Sequence, residues 1–293
     1  MMSPAGLVLA SLRRRPAGDI TSRARACIDG KSREGNVRRY FVDIDTAPAV
    51  GRTVVLDAEQ SRHLRTVMRG ENGDAVELTD GRGHVLRGVL TGGGKKDAQV
   101  EITGVEEAVA EVAAPLLRLA CAVVKGKRFE MAVEKAVEIG AHALVPLRCE
   151  FGVIDPRDGK LDRWRGLLTA ALKQSGRCHL PRLAELTDPA GALDDADGPV
   201  YFGAAPGDLV GEKPLNPTAA AAQAARLKLE GHPAPPSLTL LVGPEGGWSA
   251  GELKLLAARD VIPLVLGPHV LRTETAAIVG LAALQQIRRA WLA

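Results

Sequence analysis

The sequence predicts an α/β domain built on a parallel sheet, preceded by a small β-barrel. Three observations carry this reading. Two continuous apolar runs, Leu238 to Val242 and Val261 to Leu266, each end in Gly-Pro and each lead into a helix. Uninterrupted apolar strands are those of a parallel sheet covered on both faces. A strand–helix–strand succession spans Leu116 to Leu147, and the region before it holds several short strands separated by turn residues.

At 293 residues the chain has room for two domains, and its 46% hydrophobic content supports a sizeable core. With only 3% aromatics, that core must be built from Leu, Val and Ala. A net charge of +3, from 38 basic and 35 acidic residues, makes any nucleic-acid surface a local one. No apolar run reaches membrane-spanning length, so no membrane partner is expected. The cysteines at 27, 121, 149 and 178 are scattered, and Cys178-His179 is adjacent without zinc spacing. No metal is therefore expected, and a reduced, cytoplasmic protein is the simplest reading. Residues 1–36 carry Arg13, Arg14, Arg15, Arg23, Arg25 and Arg33 with little apolar period and read as a disordered extension, the folded chain starting near Val37. An organelle-targeting peptide is the alternative; Asp19, Asp29 and Glu34 count against it.

Residues 37–111 read as the barrel. Strands are expected at Thr53–Leu56, Ala75–Thr79, Val85–Leu90 and Ala98–Thr103, with turns at Asp80-Gly81 and Gly92 to Gly94. Asp57 to Gln60 fits a capping box opening a short helix that ends near Met68. Arg62, His63, Arg65 and Arg69 on or just after that helix suit phosphate contact; a solvated helix face would look the same.

Glu106 to Ala114 reads as a linker closed by Pro115. Beyond it, residues 113–293 form the second domain. Lys125-Gly-Lys-Arg128 leads into a helix with Phe129, Val133, Ala136, Val137 and Gly140 on one face. A second helix, Lys160 to Ser175, buries Trp164, Leu167, Leu168, Ala171 and Leu172 and stops at Gly176. Pro206 to Pro236 reads as a surface excursion around an alanine-rich helix, with no chemistry expected there. In the C-terminal quarter, Gly243-Pro-Glu-Gly-Gly247 precedes a capping box at Ser249 and Glu252. Its glycines are expected to permit positive φ and close approach of a ligand to the backbone. The last helix, from about Thr273, carries Ala276, Gly280 and Ala283 on one strip; close packing inside the chain or against a second copy explains that equally well.

Leu241-Val-Gly-Pro-Glu-Gly-Gly-Trp-Ser249, paired with Leu266-Gly-Pro-His-Val-Leu-Arg-Thr-Glu-Thr-Ala276, resembles the signature of the SPOUT methyltransferases. Among these it is similar to the branch that methylates N3 of a uridine in 16S ribosomal RNA. Weaker motifs extend the likeness across roughly residues 38–290. They include Arg38-Arg-Tyr-Phe41, His-Leu-x-x-Val-Met-Arg at 63–69, Asp-Gly-x-Gly at 80–83, Lys135 with Glu138-Ile-Gly140 and Pro146, and Gln174-Ser-Gly-Arg177. The resemblance implies a SPOUT-type parallel sheet with a C-terminal trefoil knot, a PUA-like RNA-binding barrel, a homodimer, and S-adenosylmethionine (SAM) as methyl donor. It further implies 16S rRNA as partner, within the 30S subunit or its late assembly intermediate.

On that basis the SAM site is expected at Leu241, Val242, Gly243, Pro244, Gly246, Gly247, Leu266, Gly267, Val270, Leu271 and Thr273. RNA contacts are expected from Arg38, Arg39, Arg62, His63, Arg65, Arg69, Lys125, Lys127 and Gln174. Uridine N3 is a weakly acidic imide that must lose its proton to attack, and a planar arginine beside the base can stabilise the anion. Arg272 is the first candidate and Arg177 the second. Glu274 or Glu245 would orient the arginine or take the proton, although Glu274 could serve only the first turn of its helix. Two positions depart from the family: His269 and Phe151 stand where arginine is usual or frequent. They bear on RNA target more than on SAM. An enzyme with another RNA target and a non-catalytic RNA-binding or ribosome-assembly protein on the same scaffold are the alternatives.

Overall fold

In a computed structural model of the chain, residues 39–44, 47–108, 111, 113–152, 159–205, 208 and 214–293 are described. The extension over residues 1–36 and Arg38 lie outside them.

The N-terminal domain contains β1 (Arg39–Phe41), β2 (Thr53–Val55), α1 (Ala58–Arg62), β3 (Ala75–Thr79), β4 (His84–Gly92) and β5 (Gln99–Glu107). Its sheet runs β1-β3-β4-β5-β2, parallel only between β1 and β3. Alternating inward residues give it a core of its own, with Leu56, Leu78, Leu86, Leu90, Val100 and Ile102 fully buried. Asp57 caps α1 by accepting from the Gln60 N–H, but Gln60 does not close a capping box. Its amide bonds both the N–H and the C=O of Phe41, pinning β1 to the helix. After α1 the helix widens into one π-helical turn, His63–Val67, and ends at Met68 as the sequence predicts.

The C-terminal domain is a six-stranded sheet, β11-β9-β10-β6-β7-β8, in which every paired neighbour is parallel. Its strands are β6 (Leu116–Ala122), β7 (Ala143–Leu147), β8 (Arg182–Leu183), β9 (Val200–Gly203), β10 (Ser237–Val242) and β11 (Ile262–Leu264). Successive side chains point to opposite faces. Leu117, Leu119 and Cys121 of β6 and Leu238, Leu240 and Val242 of β10 join one core; Ala120, Ala122 and Leu241 join another. The first core is covered by α2 (Lys127–Ile139), α3 (Lys160–Ser175), α5 (Pro217–Leu229) and α7 (Thr273–Leu292). The second is covered by α4 (Pro189–Asp194) and α6 (Ala250–Ala258). Helix α3 stops at left-handed Gly176 (φ 70°), where the sequence marks the stop; α2 stops at left-handed Gly140 (φ 105°), which the sequence pattern places on the apolar face of the helix and which is its C-cap instead.

Two expectations are corrected here, and an alternative left open, the reason for a small residue at 280, is answered. Strand β5 runs to Glu107, paired with His84, so Glu106 and Glu107 belong to the sheet and not to the linker. Helix α5 is no mere excursion: Ala220 and Ala224 lie in the core and the helix packs along α7. Gly280 on α7 faces Leu240 of the chain's own sheet, where a Cβ would lie 2.5 Å from Leu240 Cδ2, so packing inside the chain accounts for that small residue.

The two domains are joined through the chain that leaves α3. Leu180 N–H donates to Gly81 O at 2.7 Å, Gly83 N–H to Cys178 O at 2.9 Å, and Arg39 to Gly176 O. Beneath this seam lies a polar knot of side chains on the linker. The Glu111 carboxylate accepts from Arg177 Nε at 2.5 Å and from Cys178 N–H at 3.0 Å. Arg177 Nη1 also donates to Val137 O and Ala141 O, at the carboxyl end of α2. Arg288, near the end of α7, donates to Pro115 O and Ala113 O at 2.7 and 2.8 Å. His142 Nδ1 accepts from Leu117 N–H, and Nε2 lies 2.7 Å from Glu111 O, so the ring is neutral with its proton on Nε2.

Burial, reinforced by the nearby charges of Arg177 and Arg288, pushes the His142 pKa down from 6.5 to about 4. The folded state thus refuses a proton that the unfolded chain accepts between those two values. Stability is expected to be full above pH 6.5 and to fall as pH drops from there towards 4, by about 3 kcal/mol at most. Thermal melts across that range check this. His142→Gln should be less stable at pH 7 and show a shallower fall. His179, whose pKa burial also lowers, keeps part of the slope.

Candidate functional site

Open α/β sheets place ligand sites at the carboxyl ends of their strands, and both Gly-Pro loops lie there. Strand β9 separates β10 from β11, so the two loops do not follow adjacent strands. They still converge. Thr273 Oγ1, at the start of α7, donates to Gly243 O in the first loop at 3.1 Å and ties the two together. The capping box at the head of α6 is present in both directions: Ser249 accepts from Glu252 N–H at 3.2 Å, and Glu252 from Ser249 N–H at 2.8 Å.

Between the loops lies a cleft of about 90 Å³. Nine of the eleven residues expected at the SAM site line it: Val242, Gly243, Pro244, Gly247, Leu266, Gly267, Val270, Leu271 and Thr273. Leu241 and Gly246 do not. Leu241 points into the core on the other side of the sheet. The glycines serve different ends from those expected. Gly247 alone of the three has positive φ, 76°. Gly243 is small because Trp248 packs on it, a Cβ there lying 2.8 Å from the indole; Gly246 is small because Phe151 does the same at 2.9 Å.

A third segment, unread in the sequence, completes the cleft. Gly203, Ala204, Ala205 and Asp208 follow β9 and lie among its walls. Asp208 belongs to the stretch where no chemistry was expected, and its carboxylate accepts from Ala205 N–H at 3.1 Å. The signal available was the short apolar run Val200 to Phe202 ending in Gly203, the same pattern as its two neighbours.

The expected catalytic residues are dispersed. Arg272 is the N-cap of α7, exposed and without a side-chain partner among the described residues. Glu274 is buried in the first turn of α7, 8% exposed, with Oε2 unpartnered; no ion pair joins it to Arg272. Glu245 lines the cleft and pairs with Arg128 of α2. Arg177 is not brought to the cleft; its donors serve Glu111 and the end of α2. Burial raises the thiol of Cys149 to about 12 and that of Cys121 further, so neither is a nucleophile at neutral pH. Among the described residues no group of three or more His, Cys, Asp or Glu could hold a metal.

The basic residues also divide. Arg62 and Arg69 are exposed, as are Lys125, Lys127 and Gln174. Arg65 is spent within its own domain, donating to the carbonyls of Gly70, Gly92 and Gly93 and to Asn72. Arg39 pairs with Glu77 and reaches across the domain seam, and His63 meets Tyr40 OH at 3.1 Å.

Two family models match the chain. Residues 113–285 match the RNA methyltransferase domain, and residues 56–103 the RNA methyltransferase PUA domain. Among similar proteins, the ribosomal RNA small subunit methyltransferase E of Synechocystis sp. is 31% identical over 89% of this chain and 82% of its own. The protein of that name in Mycobacterium bovis is 32% identical over 85% of this chain and 92% of its own. A crystal structure of the Neisseria gonorrhoeae protein of that name, bound to S-adenosylmethionine, aligns over 86% of this chain and 98% of its own. Its TM-score is 0.67 and its sequence identity 25%.

The two glycines make contrasting predictions. Gly243→Ala should displace Trp248 and cost about 1–3 kcal/mol of stability, seen as a lowered melting midpoint and altered tryptophan emission. Gly267→Ala, with nothing within 4 Å of its added methyl, should leave stability within about 0.5 kcal/mol.

Proposed function

The chain belongs to the ribosomal RNA small subunit methyltransferase E family, and from that premise we propose that it methylates N3 of a uridine in 16S rRNA, with SAM as donor. The observation that carries the reading is the convergence of the two signature loops on one cleft, with the exposed Arg272 standing between two of its lining residues, Leu271 and Thr273. The trefoil knot, the homodimer and the 30S subunit as substrate context belong to the same reading.

The cleft suits the cofactor in kind. Val242, Leu266, Val270 and Leu271 supply apolar walls for a neutral adenine and ribose, and the loop backbone supplies donors and acceptors. At about 90 Å³ it is narrower than the roughly 300 Å³ at which ligand pockets begin. When bound, SAM supplies an electrophilic methyl group.

Every other task falls to the chain. The loops hold donor and base in line, which supplies much of the acceleration. Arg272 places a planar cation where charge develops on the uracil imide, and its guanidinium is not committed elsewhere. Glu274 is the better candidate to receive the N3 proton, because its buried Oε2 has no donor, whereas Glu245 is engaged by Arg128. The exposed Arg62 and Arg69 contact phosphates, which positions RNA without reading its sequence.

Nucleoside mapping of 16S rRNA from a strain lacking the gene tests the reading: one N3-methyluridine should be missing and should return on treatment with purified protein and SAM. Unchanged rRNA would refute it. Arg272→Ala should lower single-turnover methylation on the order of a hundredfold while leaving SAM and RNA affinity nearly unchanged. Arg272→Lys should rescue little, since a point charge lacks the planar fork. Near-normal turnover in Arg272→Ala would sink the assignment. Replacing Arg62 and Arg69 with Ala should weaken RNA binding and reduce the log–log salt slope by about 0.7–0.9 per lost contact. Arg65→Ala, in contrast, should register as lost stability.

A further inference from the structure

Of the nine aromatic residues in the chain, eight are buried or half-buried; Phe151, 49% exposed, is the exception. An exposed phenyl ring usually marks a flexible loop end, but this one is held. Gly152 N–H donates to Cys149 O at 2.9 Å, closing a tight turn around it. Glu150 N–H donates to Glu252 Oε1 at 2.9 Å, and the other oxygen of that carboxylate caps α6. The Phe151 Cβ packs directly on Gly246, in the first signature loop. The backbone and Cβ of Phe151 are thus held against the first signature loop and the head of α6, beside the cleft, with the ring exposed.

The basic residues near it lie on one side. Arg128, paired with Glu245 of the same loop, is the second residue of α2, which opens at the exposed Lys127 and follows the exposed Lys125. On the other side, Glu150 and Gly152 of the Phe151 turn help line an open groove of about 670 Å³ that sets Glu150, Asp188 and Glu252 against Arg148, so the backbone of an RNA would run on the α2 side. Exposed aromatic rings beside basic residues bind single-stranded RNA by stacking, because every base has a π-face.

We propose that Phe151 is a stacking platform for an unpaired base of the substrate RNA beside the methylation cleft, a positioning residue for RNA and not for SAM. The inference rests on the proposed function in taking RNA as the substrate. It requires a ring at position 151, not merely an apolar side chain, and Phe151→Leu separates the two.

The test uses the full-length protein with a single-stranded, uridine-rich oligoribonucleotide and with 30S subunits. Phe151→Ala and Phe151→Leu should each weaken RNA binding by about tenfold or more, and raise KM for 30S subunits with kcat and SAM affinity unchanged. Phe151→Trp should restore affinity, and its emission should be quenched by the oligonucleotide more than that of the wild type, whose three tryptophans are buried. Oligonucleotide affinity in Phe151→Leu equal to wild type, or no extra quenching in Phe151→Trp, overturns the inference. So does a shift from dimer to monomer in Phe151→Ala, which would make the ring a subunit contact. Because binding needs no turnover, these outcomes are read independently of whether the wild-type protein methylates uridine N3.

Discussion

Two guanidinium groups are drawn out of water where the linker crosses the base of the C-terminal sheet, and much of the architecture follows from the partners they take, although Arg177 Nη2 stays buried without one. Arg177 and Arg288 arrive from the ends of α3 and α7, and like charges so placed need carbonyls and a carboxylate around them. Glu111 supplies the carboxylate, the carboxyl end of α2 supplies Val137 O and Ala141 O, and the linker supplies Ala113 O and Pro115 O. Four elements are fixed by one cluster. The seam to the N-terminal domain begins one residue further on, at Cys178, whose N–H is held by the same Glu111. The hub therefore sets the angle at which the basic surface of the small domain is presented relative to the cleft.

This division of labour explains which features were legible in the sequence. The layers were, because β6 and β10 are largely apolar, broken only by Arg118 and by Ser237 and Thr239, and feed both cores. The helix stop at Gly176 and the capping box at Ser249 were also legible, since each depends on residues within one turn. Strand order was not. Nothing local to Val200–Gly203 says that it inserts between β10 and β11, so the third wall of the cleft went unread.

Arginine was the least legible residue type. Its five donors answer equally well to phosphate, to a reacting base or to stranded backbone carbonyls. Arg65 and Arg177 took the last role, while Arg62 and Arg272 did not. The glycines misled in a related way. Gly243 and Gly246 sit in a loop whose composition invites a ligand-based explanation, yet what crowds each of them is a side chain of the chain itself, the indole of Trp248 and the Cβ of Phe151.

The strand order has a consequence for synthesis. Strand β10 occupies an inner position in its sheet but is made after β6, β7, β8 and β9, and the edge strand β11 and the helix that carries Thr273 come later still. A nascent chain can complete the small domain early, since all five of its strands precede residue 108. The larger sheet stays divided between β6 and β9 until residues 237–242 emerge to bridge them. The cleft is then still missing its second loop. The cleft is complete only once residues 266–276 have followed, so a chain stopped before them would hold the small domain with its exposed Arg62 and Arg69 and no cleft.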